Sequence, residues 1–154
     1  MNKLYRFSPI KTEAELEEAL TYITIQLEQL SLKLFNEKLP INTLKIFPHY
    51  FEEYDYLYNL ITNLGPKALF SSASNYYAQV DRMINGYGIK YIGVKTVDPY
   101  RLHVGCGDYE IYNFEEFRKK QINKSKFIRD LKDEDMLEIW HPDFDILGYI
   151  VPTL

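Results

Sequence analysis

The sequence predicts an α+β domain in which two βαβββ-like units follow a long N-terminal helix. Three observations carry that expectation. Leu16, Leu20, Ile23, Leu27, Leu30 and Leu34 recur at alternating steps of four and three, the spacing of one apolar helix face. Downstream, segments of strand-like alternation and helical spacing appear twice in one order: strand, helix, strand, strand, strand. Asn85-Gly86, a pair that tolerates positive φ, separates two of the strand segments and predicts a tight hairpin.

The opening helix is expected over 12–38. Thr12 with Glu15 has capping-box spacing at its start, and Pro40 disfavours helical geometry in the residue before it. Its narrow seam fits either the domain's own sheet or a partner helix, the second giving a homodimer or a protein-interaction module. The first unit is expected over 42–97. Thr43–Phe47 alternates as a strand, and Phe51, Tyr54, Leu57, Tyr58, Ile61 and Leu64 resume helical spacing. Glu52 and Glu53 in that helix's first turn suit its positive end, while Gly65 and Pro66 supply the stop. Ala68–Phe70 is a short strand candidate, followed by Asn75–Ile84 and Gly88–Thr96 around the Asn-Gly turn. The second unit is expected over 106–152. Asp108–Tyr112 is its opening strand, and Asn113 with Glu116 caps a short helix carrying Phe114 and Phe117. Phe127–Leu131, Met136–His141 and Ile146–Val151 complete it, the last two joined around Pro142–Asp145.

Composition narrows the function classes. A chain of 154 residues, 46% apolar and 26% charged, fits one globular domain, 1–154. A formal charge of −4 argues against general nucleic-acid binding, which relies on a basic surface. Arg118, Lys119, Lys120, Lys124, Lys126, Arg129 and Lys132 crowd together, but Asp130, Asp133, Glu134 and Asp135 cancel much of their field. No apolar window reaches the length of a membrane span, and Met1–Pro9 lacks a signal-like apolar stretch, so a cytoplasmic protein is expected. Cys106 is the single cysteine and excludes an internal disulfide.

Trp140-His141-Pro142-Asp143-Phe144-Asp145-Ile146-Leu147 resembles the aromatic-Asp-Pro-Asp-Gly-Asn hairpin near the end of many vicinal oxygen chelate proteins, the group of glyoxalases, bleomycin-resistance proteins and extradiol dioxygenases. His141 stands in place of the first aspartate and Phe144 in place of the glycine. Arg101–Gly105 with Asp108–Ile111 also resembles small uncharacterised bacterial proteins of that fold. The resemblance spans about 42–151 and implies that the two units form one mixed, half-barrel sheet with a pocket between them. It also implies metal ligands on the first strand of each half and on the last strand. The chain departs from that pattern. Gly148 or Tyr149 occupies the final carboxylate position, and the first strand offers only Asn42, Thr43 and Lys45. One divalent metal (zinc, manganese, iron or nickel) is therefore expected only with an incomplete chelate.

Cys106, Asp108 and Glu110 alternate and so share one strand face. Asp108, Glu110 and His103, or His49 in its place, give the imidazole and carboxylate chemistry such metals accept. Glu138 lies between Met136 and Trp140. If that face points inward it is a general-base candidate with raised pKa, alongside His103; if outward, a plain surface acid. Arg101 in the 97–108 connection is placed to clamp an anionic group, or else to pair with one of the many acids. Tyr91 and Tyr100 belong to a concentration of tyrosines that suits either a ligand wall or sheet packing. Activation of Cys106 by His103 requires a bent loop, because residues three apart on a strand face opposite ways. The expected function is small-molecule binding, or a diverged enzyme of the resembling fold, with a pocket between the halves. The alternative is an interaction module acting through the N-terminal helix or acidic surface.

Overall fold

The computed structural model describes residues 5–153; Met1–Leu4, where the expected absence of a leader was partly read, and Leu154 lie outside them. The first helix, α1 (Glu13–Phe35), opens on the predicted capping box. The Thr12 hydroxyl accepts from the Glu15 N–H at 3.2 Å, and the Glu15 carboxylate accepts from the Thr12 N–H at 3.1 Å. Two otherwise orphaned backbone donors are thereby satisfied. The helix stops earlier than Pro40 requires, because Asn36 adopts a left-handed φ of 57° and donates back to the Leu32 carbonyl.

The remaining elements are β1 (Ile41–Ile46), α2 (Phe51–Thr62), β2 (Asn75–Ile84), β3 (Tyr87–Lys95), β4 (Gly105–Ile111), α3 (Phe114–Gln121), β5 (Ile128–Leu131), β6 (Met136–Ile139) and β7 (Ile146–Pro152). The strands form one open, mixed sheet in the order β2-β3-β1-β4-β7-β6-β5. Its two halves meet at β1 and β4, which pair antiparallel in the centre. Each of these carries a parallel neighbour on its outer side, β3 for β1 and β7 for β4. Beyond them run the antiparallel hairpins, β2 in the first half and β6 with β5 in the second. The β2–β3 hairpin turns on Asn85 and Gly86 at φ of 51° and 85°, as their residue types predict.

Two expectations fail. Ala68–Phe70 is not a strand: only the single bridge Lys67–Ala78 forms against β2, and Leu69 is fully exposed. The pairing is cut short because the Ser71 hydroxyl takes the Tyr77 N–H at 3.0 Å, where a ladder would continue. The first half is thus one strand shorter than the second. Asn113 precedes α3 but makes no side-chain cap, its backbone (φ −98°, ψ 54°) having left the extended region a capping side chain needs.

All three helices pack on one face of the sheet. Leu16, Leu20, Ile23, Leu27 and Leu30 of α1 are at most 1% exposed and cover β1, β4 and β7. Burial of each stabilises by roughly 1.5–3 kcal/mol, and the seam is consumed inside the chain rather than offered to a partner helix. Gly105 and Gly107 make this approach close: a Cβ there would lie 2.6 Å from Ile23 Cδ1 and 2.3 Å from Leu27 Cδ1 respectively. The Gly-Cys-Gly run, read from sequence as part of a connection, is the start of β4 shaped to receive α1. No helix of the described residues is long and apolar enough to cross a membrane.

Candidate functional site on the open sheet face

Strand alternation sends the remaining side chains to the face without helices. Register aligns Glu138, Tyr149, Asp108, Thr43, Tyr91 and Gln79 in one row across β6, β7, β4, β1, β3 and β2. The adjacent row holds Leu147, Cys106, Lys45, Gly93 and Tyr77. Glu138, Tyr149, Asp108, Tyr91, Lys45 and Tyr77 are all half-buried, although every helix lies on the other side. Part of the shielding comes from Phe70, whose ring meets Tyr91 edge-on at 4.8 Å and Tyr77 at 5.0 Å.

Lys45 occupies the middle of this face. Its Nζ donates to Asn75 Oδ1 at 3.0 Å, and Tyr77, Cys106 and Asp108 surround it. Burial weakens the ammonium, but those three neighbours outweigh it and raise its pKa. Tyr77 reaches Lys45 by lying across Gly93, where a Cβ would sit 2.5 Å from the Tyr77 ring. Lys95, one step further along β3 and opposite Asn75, is half-buried too. Its pKa is lowered by burial, and by the positive charges of Lys45 and Arg101.

Asp108 faces Lys45 from the other half of the sheet. Burial pushes its carboxyl up to about 6, with Lys45 acting to lower it and Glu110 adding to the rise. The folded state then holds its proton more tightly than the unfolded chain, so stability falls as pH rises between about 4 and 6. From 3.8 to about 6 the cost is about 3 kcal/mol at 1.36 kcal/mol per pH unit. Asp108→Asn is expected to raise the melting temperature at pH 7.5 and to flatten its dependence between pH 4 and 6. An unchanged pH profile in that variant would show that the carboxyl titrates normally.

The expected site residues divide sharply. Glu138 takes the outward alternative, on the face opposite the buried Leu137 and Ile139, yet it is half-buried there and accepts from the Tyr149 hydroxyl at 3.0 Å. His103 ends the 96–104 loop, half-buried, with its pKa lowered by burial against the opposing fields of Asp145 and Glu138. Tyr91 lines the face, whereas Tyr100 is 88% exposed because the Asp98 carboxylate takes its N–H at 3.0 Å in a turn at the loop's outer edge. Arg101 lies 4.8 Å over the Phe47 ring and pairs loosely with Asp98 at 3.7 Å. Glu110 lies further along β4 and takes the Asn42 amide. Among the described residues no three His, Cys, Asp or Glu side chains are grouped to hold a metal ion, so Asp108, Glu110 and His103 form no chelate.

His49 cannot replace His103 as a ligand. It is buried and stacked on Tyr5 at 3.8 Å, with Nδ1 at 2.8 Å from the Ser8 hydroxyl and Nε2 at 2.9 Å from the Arg101 carbonyl. Cys106 is free and buried in β4, and burial drives its thiol up to about 12, away from the thiolate that activation by His103 would require. Lys45, Lys95 and Tyr149 are not singled out as site residues by the sequence, whereas Asn75 and Tyr77 fall within the same tyrosine-rich stretch as Tyr91. The signal was present in Thr43-Leu44-Lys45-Ile46-Phe47, whose alternation puts Lys45 on the face opposite Leu44 and Ile46.

Fold and site together define an open-faced α+β protein with a polar, partly desolvated centre where its two halves join. No family model matches the chain, and no curated protein matches it in sequence. A solved structure described as "Structural Genomics, Protein EC4020" is similar to it, with a TM-score of 0.61 over 99% of this chain and 93% of that one, at 8% identity. That likeness concerns the fold alone.

Proposed function

We propose that the protein binds a small molecule on the helix-free sheet face, across the junction of its two halves. One observation carries this reading. Lys45 on β1 and Asp108 on β4 stand half-buried on neighbouring central strands, and neither belongs to an ion pair among the described residues. Partly desolvated charges that form no ion pair are costly in a purely structural face and useful in a binding one. Tyr77, Tyr91 and Tyr149 add apolar walls with hydrogen-bonding tips. A pocket between two linked units is also what the vicinal-oxygen-chelate resemblance implies, although the donor set here does not fit that family's metal. A diverged enzyme would use the same face, with Glu138 and His103 as its acid–base groups. The free, buried Cys106 suits the reducing cytoplasm in which we place the protein.

Protein-observed NMR with a mixed fragment collection, run with and without EDTA, tests the proposal. Shifts are expected to gather on residues of β1, β3 and β4 and to survive the chelator. Fragments that perturb only the helical side, or none that perturb the protein, would remove it.

A further inference from the structure

We infer that the ligand is a flat, mainly apolar molecule bearing one carboxylate or phosphate, its anionic group held by Lys45 and Lys95 beside Arg101 and its body against Tyr77, Tyr91 and Phe70. This rests on the binding role proposed above and specifies its chemistry.

The charge distribution argues for the anion. The chain carries 22 acids against 18 bases, so lysines have abundant partners. Lys45 and Lys95 nevertheless take part in no ion pair among the described residues. Both flank Asn75, Lys95 through strand register and Lys45 through its 3.0 Å hydrogen bond, which uses one of three ammonium donors. Arg101 adds a third cation to the same field, and Lys95 feels both of the others. Among the described residues the only carboxylate paired with Arg101 is Asp98, at the length of a weak pair. Asp108 offsets part of this charge at Lys45, but the three cations still repel one another on a partly desolvated surface, and an incoming anion relieves that repulsion.

Arg101 is also held in place. His49 binds its carbonyl, and Phe47 lies beneath its guanidinium. A charge fixed before the ligand arrives loses little freedom on binding.

The aromatic groups argue for a flat body. Gly93 lets the Tyr77 ring lie along the sheet, with the Lys45 ammonium 5.5 Å from its centre. Phe70 is 55% exposed and leans on both Tyr77 and Tyr91, leaving an apolar edge next to the cations. An aryl anion matches this juxtaposition of wall and charge.

The experiment titrates the full chain with benzoate, phenyl phosphate, benzamide and inorganic phosphate, following amide shifts by NMR. Benzoate or phenyl phosphate is expected to move residues 45, 77, 91 and 95, with benzamide at least tenfold weaker. Whichever of the two acids binds more tightly identifies the anionic group. Lys45→Met should weaken the acids at least tenfold, and Lys95→Met provides the same readout if the first variant misfolds; Lys33→Met, on α1, should change nothing. Benzamide binding as well as benzoate at the open face would overturn the anion and leave the small-molecule reading intact. Inorganic phosphate matching phenyl phosphate would overturn the aromatic body. Silence from all four probes at this face would overturn this inference, whereas the binding role itself falls only if the wider fragment collection is also silent there.

Discussion

Leu27→Asp is expected to unfold the chain rather than to separate a dimer. Leu27 is completely buried, its Cδ1 rests against the β4 backbone at Gly107, and the Tyr109 hydroxyl donates to its carbonyl. Truncating such a leucine costs about 3–5 kcal/mol, and an unpaired buried carboxylate adds several more. The sum reaches the 5–15 kcal/mol by which domains of this kind are normally stable. Circular dichroism should show no cooperative melt at 25 °C and above, while Leu27→Met, close in volume, should lose less than about 1.5 kcal/mol. A folded Leu27→Asp monomer produced from a wild-type dimer would instead make the seam an interface.

The same helix shows how much of the architecture could be read beforehand. Repeated apolar spacing, the Thr12–Glu15 box and the Asn85-Gly86 turn are local signals, and each survives in the structure because packing reinforces it. Expectations failed where side chains from elsewhere intervene. Ser71 captures the Tyr77 amide and ends a strand before it starts, and α1 turns Gly105 and Gly107 from loop residues into packing residues. The site was harder to see. Asp108, Glu138 and Tyr91 stand out singly in the sequence, but no local pattern fixes the register that sets them in one row, and Lys45 sits between Leu44 and Ile46 in what reads as an ordinary strand. Chemistry that depends on which strands become neighbours is invisible until the crossovers are known.

Glu53→Ala should cost about 4 kcal/mol, well beyond the loss of a surface acid. The sequence places Glu53 in the first turn of α2, where a carboxylate normally serves the helix dipole from solvent. In the fold it is wholly buried and accepts from three backbone donors: Ile10 N–H at 2.8 Å, His49 N–H at 2.7 Å and Tyr50 N–H at 3.3 Å. Alanine orphans all three, each at about 1–3 kcal/mol, with some recovery by water. Glu53→Gln keeps one acceptor oxygen but turns an amine toward N–H groups, so it should fall between wild type and alanine. The damage is also expected to reach the site, because the His49 that Glu53 positions holds the Arg101 carbonyl on the far side of its ring. Urea midpoints give the stability loss, and amide exchange at Ile10, His49 and Tyr50 locates it. If exchange quickens there while residues 97–104 stay as protected as in wild type, the Glu53–His49–Arg101 connection is structural only at its near end, and Arg101 is held by Phe47 and Asp98 alone.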